Sequence, residues 1–156
     1  INKILTAKNK DEFTSDIFDA ANLKWLIELD PCGYNSDTNG MFGVYLKLLS
    51  LPTTWKSVSI QLRIGCPQLD TNAHFSVLYE RNESFGRSIF SFDRLKQYTP
   101  KRLLIAIELC IIRITLKKDN AILYQMPTQK YKRHTVIEWK FDQSTTKKLS
   151  MYKQPH

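Results

Sequence analysis

At 156 residues, with 42% apolar side chains and a formal charge of +8, the chain fits one domain with an adequate core. No apolar run reaches the roughly 20 residues that span a bilayer; the longest, Leu103 to Ile114, is broken by Glu108 and Arg113. The three cysteines, Cys32, Cys66 and Cys110, are odd in number and form no CxxC pair, which points to a reducing cytoplasmic or nuclear setting.

The chain opens at Ile1 without an initiator methionine or a signal-like segment, and reads as an excised piece of a longer protein. Residues 1 to 12 are polar and mixed, an irregular lead-in. From Phe13 onward, short apolar runs alternate with turn signals, the pattern of an all-β chain. Leu23 to Leu29 reads as a strand with Trp25, Ile27 and Leu29 on one face. Asp30-Pro31-Cys32-Gly33 ends it as a turn, and Asn35 to Gly40 forms an exposed loop of turn formers. Met41 to Leu51 is taken as a strand, opened after Gly40 and closed by Pro52.

Val58 to Ile64 has the cleanest two-residue period. It places Val58, Ile60, Leu62 and Ile64 on a buried face, and Ser59, Gln61 and Arg63 on a wet one. Gly65-Cys66-Pro67 stops it. His74 to Tyr79 and Arg87 to Phe92 are further strands. Asp93 is placed to cap a single helical turn. Leu103 to Leu116 reads as the most buried strand, since an apolar run of that kind calls for cover on both faces. Ala121 to Tyr124 and Val136 to Phe141 complete a set of seven or eight strands, which predicts an antiparallel β-sandwich.

Charge is spread unevenly. Residues 117–156 hold nine Lys/Arg against three Asp/Glu, or +6, while residues 1–116 hold fourteen against twelve, or +2. The organisation is therefore a balanced body, 1–116, followed by a basic extension, 117–156, that contains the apolar strand Val136 to Phe141 after the shorter Ala121 to Tyr124. Within the extension Lys130, Lys132, Arg133, Lys147 and Lys148 are candidates for a phosphate contact, with Tyr131 interleaved among the first of them. A solvated linker is the plain alternative.

Groupings that carry chemistry are missing from the pattern. No glycine-rich phosphate loop, HExxH or GxSxG occurs. His74, His134 and His156 are scattered, and the three cysteines with one histidine make a weak case for zinc beside their simpler role as small apolar fillers. The expectation is a protein that is not an enzyme and has no cofactor or metal.

Ser15-Asp16-Ile17-Phe18, followed by Leu23-Lys24-Trp25-Leu26-Ile27-Glu28-Leu29-Asp30-Pro31-Cys32-Gly33, resembles the early strands of MATH domains, the TRAF-like β-sandwich. The likeness runs on through Val44 to Leu48, Pro52 to Trp55 and Val58 to Ile64. Phe85-Gly86-Arg87-Ser88-Ile89-Phe90 is similar to the family's Trp-Gly-Phe-x-x-Phe segment, and Leu103 to Ile112 to its late central strand. The resemblance covers residues 13 to 116 and implies a TRAF-like fold. It also implies a non-catalytic interaction module, adaptor or scaffold, that takes a short segment of a partner protein in a shallow groove.

By position, the groove residues are Met41, His74, Phe75, Phe85 and Arg87. Phe85 stands where the family has tryptophan, and Arg87 where it has the following phenylalanine, which shifts the expected partner toward an acidic or phosphorylated peptide. A first strand with a Trp-x-Ile core is not found before Ser15, whereas Ile137-Glu138-Trp139-Lys140-Phe141 has that look at the other end. That segment is expected to return and complete a circularly permuted sandwich; opening a second, truncated domain or exchanging into a partner chain are the alternatives. Nucleic-acid binding through the basic extension is the second functional reading, and no membrane partner is expected.

Overall fold

The computed structural model describes residues 13–33, 36–98, 102–117, 123–125, 132–140 and 148–153. Two antiparallel sheets pack face to face as a β-sandwich. The front sheet contains β1 (Phe13–Thr14), β2 (Phe18–Ala20), β3 (Leu23–Asp30), β4 (Met41–Ser50) and β7 (Ser84–Ser91), with β1 and β2 both paired to β3 and β7 at the opposite edge. The back sheet runs β11 (Lys148–Lys153), β10 (Lys132–Lys140), β8 (Arg102–Leu116), β5 (Trp55–Cys66) and β6 (Thr71–Tyr79), with β9 (Leu123–Gln125) also paired to β8. One α-helix among the described residues, α1 (Phe92–Tyr98), follows β7.

Alternation builds the core. Leu23, Trp25, Ile27 and Leu29 of β3 and Phe42, Val44, Leu46 and Leu48 of β4 are buried from the front. Val58, Ile60, Leu62 and Ile64 of β5, as expected, and Leu103, Ile105, Ile107, Leu109 and Ile111 of β8 meet them from the back. Fully burying such side chains stabilises by roughly 1.5–3 kcal/mol each relative to exposure, before chain entropy is set against it. Trp25 is completely buried and its indole N–H donates to the Ala20 carbonyl at 3.0 Å, so the large ring leaves no buried donor unpaired.

Four expectations need correction. The described strand segments number eleven, beyond seven or eight, because the edges are assembled from short pieces such as β1, β2 and β9. Strand β8 is buried on one face only: Leu104, Ala106, Cys110 and Ile112 are half-buried, since among the described residues no further layer packs outside the back sheet. Strand β7 begins at Ser84, ahead of the anticipated Arg87, and Phe92 belongs to the helix. The helix exceeds one turn and is capped by Ser91, whose Oγ accepts the Arg94 N–H at 3.3 Å; Asp93 instead lies in the first turn and pairs with Lys96. A residue at Asp93's place inside the helix has lost the extended backbone that capping requires.

The basic extension is partly ordered into the sandwich. Strand β10 pairs antiparallel with β8 from Lys132 opposite Cys110 to Lys140 opposite Arg102, and this puts Trp139 opposite the buried Leu103. Residues 1–12 lie outside the described residues.

Candidate partner-binding site

Strands β6 and β7 end opposite sheets and lie against each other on one open side of the sandwich. Among the described residues β6 is hydrogen-bonded only to β5, and β7 only to β4, so each has one edge without a strand partner. The chain crosses between them through residues 80–83. There Asn82, in the left-handed region (φ 63°), donates its N–H to the Leu48 carbonyl, and the Leu48 N–H donates to Glu83, both at 2.9 Å.

Tyr79, the last residue of β6, fixes this corner. Its hydroxyl donates to the Leu46 carbonyl of β4 at 2.7 Å, across the sandwich. Its ring stands edge-on to Trp25 at 5.3 Å and to Phe85 at 4.9 Å. Burial is the main reason its phenol is pushed far above the usual tyrosine value, so the ring stays neutral and anchored. Phe85 is half-buried and packed against the hydrophobic cluster. Next along β7, exposed Arg87 holds its guanidinium 5.2 Å from the centre of the Phe75 ring on β6. This cation–π contact joins the two sheets at their open edges.

Between Phe85 and Arg87, Gly86 is required by close approach of the β4 backbone. A Cβ there would come 2.0 Å from the Val44 carbonyl oxygen and 2.5 Å from the Tyr45 Cα. On the outer face beside it, Lys47 reaches Glu28 at 3.1 Å and the Ser84 hydroxyl donates to the same carboxylate at 2.7 Å. That network ties β3, β4 and β7 together.

Of the five residues placed by the groove resemblance, Phe75, Phe85 and Arg87 converge. His74 and Phe75 fall on opposite faces of β6, so His74 is exposed on the outside of the back sheet, opposite Arg63. Met41 stands opposite Ser91 at the α1 end of β4, three residues or about 10 Å along the strand from the Arg87 level. Tyr79 and Gly86 were not singled out from the sequence. A strand-final tyrosine on the buried phase of β6 was the available hint for one; the other depends on a neighbour over forty positions away.

The basic candidates do not form one group. Lys132 and Arg133 begin β10 opposite Cys110 and Leu109, whereas Lys148 begins β11 opposite Lys140, eight positions or about 27 Å further along. Lys130 and Lys147 lie outside the described residues. Among the described residues no three His, Cys, Asp or Glu side chains are grouped to hold a metal, and no helix is long and apolar enough to cross a membrane. None of Cys32, Cys66 and Cys110 is in a disulfide. Burial pushes the Cys66 thiol up, away from the nucleophilic thiolate.

No family model matches the chain, and no curated protein matches it.

Proposed function

We propose that the chain is a non-catalytic protein-interaction module, a MATH (TRAF-like) sandwich serving as an adaptor or scaffold in the cytoplasm or nucleus. The observation that carries this reading is the β6–β7 opening, where a strand edge without a partner runs beside a paired aromatic and guanidinium. An extended peptide added to such an edge gains affinity from main-chain hydrogen bonds and specificity from the side chains it meets. Arg87, exposed at that edge, favours an acidic or phosphorylated residue in the partner. Pairing of β10 with β8 supports the arrangement in which the displaced Trp-containing segment completes a permuted sandwich.

Selection of a random extended-peptide library on the full chain tests the reading. Enriched peptides should carry an acidic residue, shift the amide resonances of Ser84 to Ser91, and lose binding on Arg87→Glu while the melting temperature holds. Peptides that bind elsewhere, or that bind Arg87→Glu equally well, would overturn it.

A further inference from the structure

The two edge strands turn one set of side chains inward. Phe75 and Val77 of β6 stand opposite Leu62 and Ile60 of β5, and Phe85 and Arg87 of β7 stand opposite Leu46 and Val44 of β4. All four of those partners are buried. Residues opposite one another in a ladder share a face, so Phe75, Val77, Phe85 and Arg87 lie on the core side of their strands. Ile89 is the extra residue of a bulge, because Gly43 pairs with Ser88 and Phe42 with Phe90, and it too packs against the core. Phe75, Val77, Phe85 and Ile89 are only half-buried, since among the described residues no further strand closes this side of the sandwich.

Arg87 is the one charged group in that inward set. It reaches solvent by lying over the Phe75 ring, 5.2 Å from its centre, and its guanidinium forms no ion pair or hydrogen bond with any described residue. Its five N–H donors are left for water or a ligand. A cation is therefore laid across the apolar opening with its hydrogen-bonding capacity unspent.

We propose that Arg87 and Phe75 form a gate over this opening, and that the partner which opens it is a peptide carrying a carboxylate and an apolar side chain two residues apart. In the unliganded chain the guanidinium covers the ring and occupies the surface that an apolar anchor would use. The cation–π contact holds it there by roughly two- to fivefold, the range for an exposed site. A carboxylate offers a bidentate, charge-assisted pair, which is stronger and draws the guanidinium off the ring. The bared Phe75 then meets the apolar side chain. In an added strand alternate residues share a face about 7 Å apart, which sets the two-residue spacing. An apolar segment without the acid has to displace Arg87 uncompensated, so the gate discriminates against it. This inference rests on the peptide-binding reading above, and adds the partner's second residue and the contact that must break before it binds.

Two readouts test it. In the unliganded chain, 4-fluorophenylalanine labelling supplies a fluorine signal for Phe75, assigned by its loss in Phe75→Leu. Arg87→Gln alters an exposed side chain and should move that signal and enlarge its solvent isotope shift; an unchanged signal means that the ring is not covered and overturns the gate. Binding is read by fluorescence anisotropy of labelled Thr-Thr-Leu-Thr-Glu-Thr-Thr, of Thr-Thr-Glu-Thr-Leu-Thr-Thr, and of both with Gln in place of Glu. Arg87→Gln should weaken the better acidic peptide roughly tenfold and tighten its neutral counterpart about two- to fivefold. In Phe75→Leu that tightening should vanish, because no ring is left to uncover. A neutral peptide that binds Arg87→Gln no better than the native chain makes Arg87 a plain contact, and overturns the gate while the peptide reading stands. If neither acidic peptide binds the native chain, the peptide reading falls and the gate falls with it.

Discussion

Replacing Gly86 with alanine adds one methyl group and should be among the most damaging changes available to this fold. The new Cβ would lie 2.0 Å from the Val44 carbonyl oxygen and 2.5 Å from the Tyr45 Cα, both backbone atoms that no rotamer change can move aside. Relief requires β7 to shift away from β4 by more than an ångström. Two weakened ladder hydrogen bonds at about 1 kcal/mol each, with part of the Phe85–Tyr79 ring contact at about 1 kcal/mol, give a loss of about 3 kcal/mol. That is the upper end for overpacking. In urea, with a slope of about 2 kcal/mol/M, the midpoint should fall by about 1.5 M.

Two other glycines calibrate the argument. At Gly43 the clash is with the Tyr45 ring at 2.7 Å, which can swing, so Gly43→Ala should cost about 1 kcal/mol or less. Gly40 has φ +75° and nothing within 4 Å, so Gly40→Ala isolates the left-handed backbone penalty, about 1–2 kcal/mol. If Gly86→Ala unfolds within about 0.5 kcal/mol of the native chain, the close approach of β4 and β7 is not what fixes that position.

Other expectations follow from the same contacts. Because the folded Tyr79 phenol titrates above its ordinary value of about 10, its contribution is fully present below that pH and is lost as pH rises toward the folded value. Denaturation series across pH 9 to 11 should therefore show stability falling above pH 10 with a limiting slope of about 1.4 kcal/mol per unit, and Tyr79→Phe should remove that component. Ser15→Ala should destabilise by about 1–2 kcal/mol in chemical denaturation, since the Ser15 hydroxyl accepts the buried Ile27 N–H at 2.9 Å and alanine leaves that donor unpaired. In native protein, thiol titration should modify half-buried Cys110 ahead of Cys32 and Cys66, with the latter two reacting fully only after unfolding. Removing residues 118–156 strips the nine-residue β10 pairing from β8 and should yield an aggregating chain by light scattering; a soluble monomer with unchanged melting temperature would show that the extension is an appendage.

The sandwich was readable where burial alternates along one strand. Val58, Ile60, Leu62 and Ile64 declared their face because polar residues separate them, whereas Trp25, with apolar Leu26 beside it, was placed by the two-residue spacing of Trp25, Ile27 and Leu29. Strand β8 misled because its outer positions are apolar without being covered: Leu104 and Ile112 carry the composition of a two-sided core strand on a one-sided sheet. The cap falls on Ser91, two residues ahead of the expected Asp93, a shift of helix boundary that propensity does not resolve. The site was harder still. Arg87 meets Phe75, and Gly86 meets Val44, only because sheets stack and strands pair; nothing local in either segment encodes those neighbours.

At the far edge of the front sheet, the Ser15 N–H donates to the Ile27 carbonyl at 2.8 Å while its hydroxyl takes the Ile27 N–H, and this splits the edge into the short β1 and β2. A broken edge of two and three residues offers no straight run of free donors and acceptors to another copy. Head-to-tail stacking of copies through the front sheet needs two receptive edges, one to give and one to take. With one side interrupted, a strand added at β7 would end the sheet there and could not be relayed through the front sheet to a further copy.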